Sequence, residues 1–424
     1  MQLNWFSFRQ IPQVPMSSMS TASTYLEAGT TEYKQANLAM FLGGFATFSL
    51  LYGPQTLLPL FAHTFHVSPA GASLTLSAGT AALALMLIPF SLLSDRYGRS
   101  LLMKCSLFGS AFFTLLVPLV DTFSHFLVLR VLLGVAIAGL PATAMAYLGE
   151  EIAPSARGRA MGLYIAGNAF GGMSGRFIIS WLTSVGGWHM AFLCSGLLGM
   201  AAAILFYRSV PDSRHFRARA VSLTMLLQDA RALFADAALP KIYAVSFMLM
   251  GVFVALYNYL GFRLEASPYG LSHTQVSAIF LLYALGTVSS ATAGRWVDKI
   301  GRRNVLWRMV VLMIAGLALT QFAWLPVIVA GVALFTMGFF GTHSTASGWA
   351  GERARERRAL SSAVYLTAYY LGGSLLGSGA GLAWGFGQWR GVSATLLLAL
   401  LAVLGCALLL KKITPLSAVV PPSR

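Results

Sequence analysis

The chain has 424 residues, of which 57% are hydrophobic and only 10% are charged, and its 29 Lys and Arg residues outnumber 13 Asp and Glu residues. Soluble globular proteins carry roughly 25% charged residues, so this composition excludes that class of protein. The apolar stretches are long enough for helices to cross the roughly 30 Å hydrocarbon core of a bilayer. The composition therefore predicts an all-α membrane protein that crosses the bilayer many times.

Apolar runs separated by turn residues or charges predict twelve membrane-spanning helices in chain order. The first six lie at 37–62, 69–93, 101–120, 125–149, 159–184 and 188–208. The second six lie at 240–262, 272–296, 305–323, 326–350, 360–385 and 391–410. These runs predict two pseudo-symmetric six-helix bundles.

The segments outside the apolar runs divide the chain further. Residues 1–36 are polar and rich in Ser and Thr, without the pattern of a signal peptide, and predict a disordered cytoplasmic tail. The bundles at 37–208 and 240–410 are joined by a basic, partly amphipathic linker at 209–239, and 411–424 form a second cytoplasmic tail.

The basic residues predict the orientation. If the linker and both termini are cytoplasmic, Arg130 and Arg176 lie inside the membrane, and only Arg263 and Arg390 of the other basic residues lie outside the cell. Such an excess of positive charge on one side is typical of the cytoplasmic side of the bacterial inner membrane. It explains the net charge of +16 without a nucleic-acid partner.

Similar residues recur at a nearly constant offset along the chain. Asp95 and Asp298 are 203 positions apart, and Glu150 and Glu352 are 202 positions apart. An offset maintained over six helices indicates a duplicated unit. Two related halves that rock about a midplane site are the architecture of a secondary transporter.

Two short charged strings, SDRYGRS at 94–100 and VDKIGRR at 297–303, stand at matching places in the two halves. Both resemble the cytoplasmic loop signature of the Major Facilitator Superfamily, although the first copy has Ser91 and Ser100 where the signature has a glycine and a basic residue. In that family the aspartate latches the two halves on the cytoplasmic side when the transporter faces outward. The resemblance therefore implies these conformational-switch residues: Asp95, Arg96, Gly98, Arg99, Gly294, Asp298, Lys299, Gly301, Arg302 and Arg303. The alternative is that the loops only set the topology.

Two helices resemble further signatures of this family. LRVLLGVAIAG at 129–139 is similar to the fourth-helix pattern, with Arg130 and Gly134 at its key positions. GNAFGG at 167–172 resembles the fifth-helix pattern G-P-x-x-G-G of proton-coupled exporters, with Asn168 in place of the proline. Close helix packing is expected at Gly134, Gly162, Gly167, Gly171, Gly172 and Gly175. The resemblance covers nearly the whole chain and points to drug:proton antiporters with twelve spanning helices, in particular the YnfM-like inner-membrane exporters of bacteria.

Ionisable residues within the membrane, away from the ends of the predicted spans, are few: Arg130, Arg176 and His343, with no acid near the middle of a span. Such residues are costly in a membrane and are candidates for function. Two arginines without an acid favour an anionic, zwitterionic or neutral substrate. The alternative is that Arg130 bonds backbone carbonyls of the first helix and Arg176 snorkels outward. His343 has a suitable pKa for carrying a proton, or it is a packing residue.

Helices one, four, seven and ten line the cavity in transporters of this superfamily. The resemblance, with neighbouring polar and aromatic residues, implies these cavity candidates: Tyr52, Gln55, Met145, Asn168, Tyr257, Asn258, Tyr365 and Tyr369. Aromatic residues and methionine form an adaptable apolar pocket that suits several compounds.

These features predict a proton-coupled exporter of small organic compounds such as drug-like molecules, sugars or metabolites. The alternative is an importer or exchanger of an anionic metabolite on the same fold. No catalytic motif, metal-ligand spacing or filter-like repeat is visible, so we expect no enzyme, cofactor, metal site or channel. The expected partners are a small-molecule substrate, protons and the lipid bilayer, and the expected state is a monomer.

Overall fold

The computed structural model describes residues 25–216 and 223–413, and nearly all of them are helical. The first half contains α1 (Thr31–Tyr52), a 3₁₀ turn (Gly53–Leu57), α2 (Leu58–Thr64), α3 (Pro69–Tyr97), α4 (Arg99–Leu116), α5 (Phe123–Ile137), α6 (Gly139–Glu151) and α7 (Arg157–Ser209). The linker contains α8 (Leu223–Ala235). The second half contains α9 (Leu239–Glu265), α10 (His273–Ile279), a 3₁₀ turn (Phe280–Tyr283), α11 (Ala284–Ile300), α12 (Arg302–Leu319), α13 (Leu325–Arg353), α14 (Arg358–Gly379) and α15 (Trp384–Lys412).

These elements form twelve crossings. Within the described ranges, nine helical stretches are long and apolar enough to cross a membrane by length and composition. One of them, α7, has 53 residues and would be about 80 Å long if straight, so it makes two crossings. It breaks at Gly186 and Gly187, where the positive φ of Gly187 suits glycine. The more polar α12 and α14 complete the predicted set.

The N-terminal boundary differs from the sequence expectation. The predicted tail ends at residue 36, but α1 begins at Thr31, where the Thr30 side chain accepts a hydrogen bond from the backbone N–H of Tyr33. Leu26 is 2% exposed and pairs with Ile152 through a backbone bridge. Residues 1–24 of the predicted N-terminal tail lie outside the described residues, as do residues 217–222 of the linker and 414–424 of the C-terminal tail.

The linker is tied to both halves at one end of the bundle, which we call the linker face. The Tyr147 hydroxyl donates to the carbonyl of Pro211 at 2.7 Å, and Arg353 bonds the Asp236 carboxylate at 2.6 Å. Burial would raise the pKa of Asp236, but hydrogen bonds from Arg353 and two backbone N–H groups outweigh it and hold this pKa below its usual value. The Asp236–Arg353 pair therefore stabilises the fold at neutral pH and is lost only as acid protonates Asp236.

The two halves contact each other mainly towards the opposite end, which we call the far face. Four residues of α3 make hydrogen bonds to the second half, and they lie between positions 73 and 84 of a helix that runs from 69 to 97. The principal packing partners of α11, which leads to the linker face, are all in its own half. The halves therefore separate towards the linker face.

Candidate functional site

Arg176 lies at the interface between the two halves, on the part of α7 that packs against α10. Its guanidinium donates to the side-chain carbonyl of Gln55 from Nε at 2.8 Å and from Nη2 at 2.5 Å, and to the carbonyl of Gly172 at 2.5 Å. Although Arg176 is 3% exposed, none of the ion pairs among the described residues includes it. Arg176 therefore points inward and does not snorkel, contrary to the alternative interpretation of the sequence.

Gln55 connects Arg176 to the second half. Its amide nitrogen donates to the side-chain oxygen of Asn258 at 2.8 Å, across the boundary between the halves. Both amides are buried because the 3₁₀ turn after α1 and the middle of α9 face each other there. The hydrogen-bonded series Arg176–Gln55–Asn258 therefore connects the two halves. Its one buried cation, Arg176, is followed by two neutral amide side chains.

Aromatic rings from both halves surround the Arg176 guanidinium. Its central carbon lies 4.7 Å from the ring centre of Tyr52, 4.9 Å from that of Phe280 and 5.0 Å from that of Tyr283. Cation–π attraction at such distances is strongest where water is excluded. Three ring faces therefore replace the acidic partner that a buried arginine usually has.

The second half adds a cluster of aromatic and polar side chains next to these rings. The Tyr257 hydroxyl bonds the Thr336 hydroxyl at 2.8 Å, and the Tyr257 ring lies 4.7 Å from that of Phe280. The Tyr365 hydroxyl is 3.1 Å from Nδ1 of His343, and the Tyr369 ring is 4.8 Å from the His343 ring. These contacts join α9, α13 and α14 into one wall.

Arg130 belongs to a different environment. It is 1% exposed and donates to the backbone carbonyls of Thr75 at 2.6 Å, Leu50 at 3.1 Å and Leu51 at 2.5 Å. Leu50 and Leu51 belong to α1, as the alternative interpretation of the sequence expected, and Thr75 belongs to α3 of the same half. The interface between the halves therefore carries one buried arginine, not two.

The two charged strings form similar clusters at the linker face. In the first half, Arg99 pairs with Asp95 at 2.6 Å and with Glu150 at 3.0 Å. In the second half, Arg302 pairs with Glu352 at 2.5 Å. Each cluster lies within its own half, because the halves are apart at this face.

The glycines of the strings have the conformation that their turns require. Gly98 has φ of 99° and Gly301 has φ of 79°, a region that side chains disfavour. Four of the other predicted switch residues lie at the helix ends next to these turns: Arg96, Asp298, Lys299 and Arg303. Gly294 lies within α11, about two helical turns before Gly301. Methyl groups on Gly294 or Gly301 would meet no atom within 4 Å, which agrees with an open linker face.

The packing glycines hold α7 against α1 and α5 against α3. A methyl group on Gly167 or Gly171 would overlap the backbone of Phe41 or Phe45, and one on Gly134 would overlap that of Gly79. Gly175 meets Ser49 in the same way, whereas Gly172 is only in ordinary contact with Arg176 and Phe48. A methyl group on Gly162 would meet no atom within 4 Å, so its expected packing role is wrong.

Two predicted cavity residues do not join the interface network. Asn168 lies between α7 and α1, where its side-chain oxygen is against Gly44. Met145 is on an exposed face of α6. Phe280 and Tyr283 were not among the predicted site residues, because an aromatic residue in an apolar run is normal and only the fold places these rings on Arg176.

Comparisons with known proteins agree with this architecture. The family profile of the Major Facilitator Superfamily matches residues 40–377 and again 269–423. The chain belongs to the Major Facilitator Superfamily. The predicted all-α fold with two six-helix bundles is thereby confirmed, and the protein is a multi-pass membrane transporter.

Similar members of this superfamily come from two bacteria. The MFS-type transporter YybF of Bacillus subtilis is 40% identical, over 90% of this chain and 94% of YybF. The inner membrane transport protein YnfM of Escherichia coli is 39% identical, over 91% of this chain and 93% of YnfM. This confirms the predicted YnfM-like resemblance and supports a bacterial inner membrane.

A solved structure shows the same superfamily fold. It is a bacterial homologue of the human lysosomal transporter Spinster, with a TM-score of 0.75 and 15% identity, covering 92% of this chain and all of the homologue. At this identity the likeness concerns the fold.

Proposed function

We propose that this transporter exports small organic compounds across the bacterial inner membrane in exchange for protons, by alternating access. The observation that carries this proposal is the uneven contact between the halves, which are joined by hydrogen bonds towards the far face and apart at the linker face. Rocking of two such halves exposes a central site to each side in turn.

The proposal places the linker and both termini in the cytoplasm. The excess of basic residues in the loops of the linker face supports this orientation. In that orientation, the structure is open to the cytoplasm and can receive a compound for export. A single chain contains both halves, so transport needs no second copy.

In this proposal, the two charged strings hold the linker face closed when the transporter is open at the far face. Asp95 and Arg99 now pair within the first half, and Asp298 lies at the matching turn. When the linker face closes, these turns approach the opposite half and can exchange partners across the interface. An ion pair that forms in just one of the two states stabilises that state and thereby shifts the balance between them.

Proton coupling needs a group that changes its charge during the cycle. His343 is our first candidate, because it lies among Tyr365 and Tyr369 in the wall of the interface. Asp95, Glu150 and Glu151 at the linker face are the competing candidates. Replacing His343 with Gln separates them: proton-driven transport that remains undiminished removes His343 from the mechanism.

The test uses a compound-sensitivity screen in an efflux-deficient host, followed by flux in inside-out vesicles with an imposed acid-inside pH gradient. We expect compound to accumulate in the vesicles and a protonophore to abolish the accumulation. Asp95→Asn is expected to reduce the flux at least about tenfold, because it removes an ion pair that biases the switch. Asp212→Asn changes an exposed acid of the same face and is the matched control.

Two results contradict the proposal. One is a flux of compound that does not change with the pH gradient. The other is an Asp95→Asn variant whose flux equals that of the Asp212→Asn control. Accumulation only under the reversed gradient indicates instead an importer or exchanger of an anionic metabolite. Arg176 is a buried cation with no acid partner within residues 25–216 and 223–413, and this observation favours the second candidate.

A further inference from the structure

We infer that Arg176, together with the Tyr52 hydroxyl and the Asn258 amide, binds the acidic group of an aromatic organic anion. This inference rests on the proposed transport function and names the substrate class of its central site. It depends on three observations: a buried cation with only neutral partners, two buried donors without partners, and a surrounding wall of aromatic rings.

The first observation is the state of the Arg176 charge. An arginine side chain has five N–H donors, and the three hydrogen bonds described above leave two of them free. Gln55 and Gly172 supply only neutral carbonyl oxygens. A cation buried at an interface without an acid is costly, and an anionic ligand would remove that cost.

The second observation is a pair of polar groups that have no hydrogen-bond partner in the part of the chain that the structure describes. The Tyr52 hydroxyl and the Asn258 side-chain nitrogen are both buried, with their residues 4% and 1% exposed. Buried polar groups nearly always have partners, so each unpaired one needs an explanation. Both can donate a hydrogen bond, as a carboxylate, sulfonate or phosphate ester oxygen requires.

Both residues belong to the network around Arg176. The Tyr52 ring is one of the three that face the guanidinium, and Asn258 is joined to it through Gln55. Arginine presents its donors in a planar fork that matches a carboxylate. A site made of one cation and two further donors selects against organic cations.

The third observation, the wall of aromatic rings, indicates the chemistry of the ligand beyond its acidic group. Phe280 and Tyr283 face Arg176, and Tyr257 packs edge-on against Tyr283 with ring centres 5.0 Å apart. Flat apolar rings pack well against such a wall. The ligand class is therefore an aromatic compound with one acidic group.

Binding at this site would also affect the contact between the halves. An anion bound to the two free donors of Arg176 competes with Gln55 for the Nε–H and Nη2–H donors, because a carboxylate is a stronger acceptor than an amide oxygen. Gln55 is also the residue that bonds Asn258 in the other half at 2.8 Å. Occupation of the site therefore changes the surroundings of a side chain that joins the halves towards the far face.

The experiment measures binding to the purified full-length protein by titration calorimetry in detergent. The probes are benzoate and 1-naphthoate, each compared with its neutral amide. We expect the acids to bind about ten- to a hundredfold more tightly than the amides, as hydrogen bonds to charged groups imply. Arg176→Gln should abolish the difference between acid and amide, whereas Arg295→Gln, at an exposed arginine, should preserve it.

A second variant covers the case in which Arg176→Gln does not fold. Tyr52→Phe removes an oxygen without any hydrogen-bond partner, so folding should be unaffected. We expect it to weaken acid binding about threefold to tenfold and to leave amide binding unchanged. Tyr97→Phe, at an exposed tyrosine, is its control.

Three outcomes overturn the inference: neither acid binds, acids and amides bind equally, or the Arg176 and Tyr52 variants bind the acids as the wild type does. Failure of the transport proposal is distinguishable. Arg176-dependent acid binding without proton-driven flux rejects export and retains the anion site. Proton-driven export of neutral compounds that is unaffected by Arg176→Gln rejects the anion site and retains export.

Discussion

At the scale of single residues, two buried arginines show how differently one side chain can be used. Arg130 is held by three backbone carbonyls of the first half. Arg176 bonds one side-chain amide at the boundary between the halves and lies against three rings. The first arrangement fixes helices within a half, whereas the second can change as the halves move.

Replacing Arg130 with Lys tests its structural role. The lysine retains the charge but cannot reach three carbonyls with a planar fork. We expect the free energy of unfolding to fall by about 1.5–3 kcal/mol, measured by thermal or denaturant unfolding in detergent. Arg295→Lys at an exposed position is the control. Unchanged stability of the Arg130 variant would show that these carbonyl bonds are dispensable.

At the scale of helices, glycine spacing decides how closely α7 approaches α1. Gly167, Gly171 and Gly175 recur every four residues, so they lie on one face of the helix. Each meets the α1 backbone or Ser49 at a distance that leaves no room for a methyl group. The second half has a counterpart in Gly372, which meets the backbone of Phe247 on α9.

Gly171→Ala tests this close approach, with Gly162→Ala as a matched control on the same helix. The added methyl group at 171 must push α7 away from Phe45, whereas the one at 162 meets open space. We expect a loss of about 1–3 kcal/mol in the free energy of unfolding for Gly171→Ala. The control should change by less than about 0.5 kcal/mol. Equal effects in both variants would contradict the packing interpretation.

At the scale of the whole molecule, α3 and α14 form the main seam between the halves. The Ser77 and Ser378 hydroxyls are 2.5 Å apart, and the Thr80 and Ser374 hydroxyls are 2.7 Å apart. Hydroxyl pairs are well suited to a seam that opens, because each group can exchange its partner for water at little cost.

A disulfide across this seam tests alternating access. We replace Ser77 and Ser378 with Cys in a background without Cys105, Cys194 and Cys406, the three free cysteines. Oxidation is expected to abolish transport, because the far side can no longer open, and reduction is expected to restore it. Each single replacement is the control. Full transport by protein that gel mobility shows to be cross-linked would reject rocking about this seam.

The sequence alone determined the fold class, the twelve crossings and the duplication, because hydropathy, glycine turns and charged loops are local properties. The turns at Gly98 and Gly301 follow from glycine in a short polar string. Gln55 and Asn258 could be proposed only as polar residues in apolar runs. Their pairing joins positions 203 apart, and such a contact depends on how two halves dock.

Only the tertiary structure separated Arg130 from Arg176, brought Tyr283 to the guanidinium, and removed Asn168 from the interface network. The physical reason is that a membrane helix is apolar on nearly all faces, so its hydropathy does not tell which face meets lipid, a neighbouring helix or the other half. That information depends on packing, and packing decides which buried charge is available to a ligand.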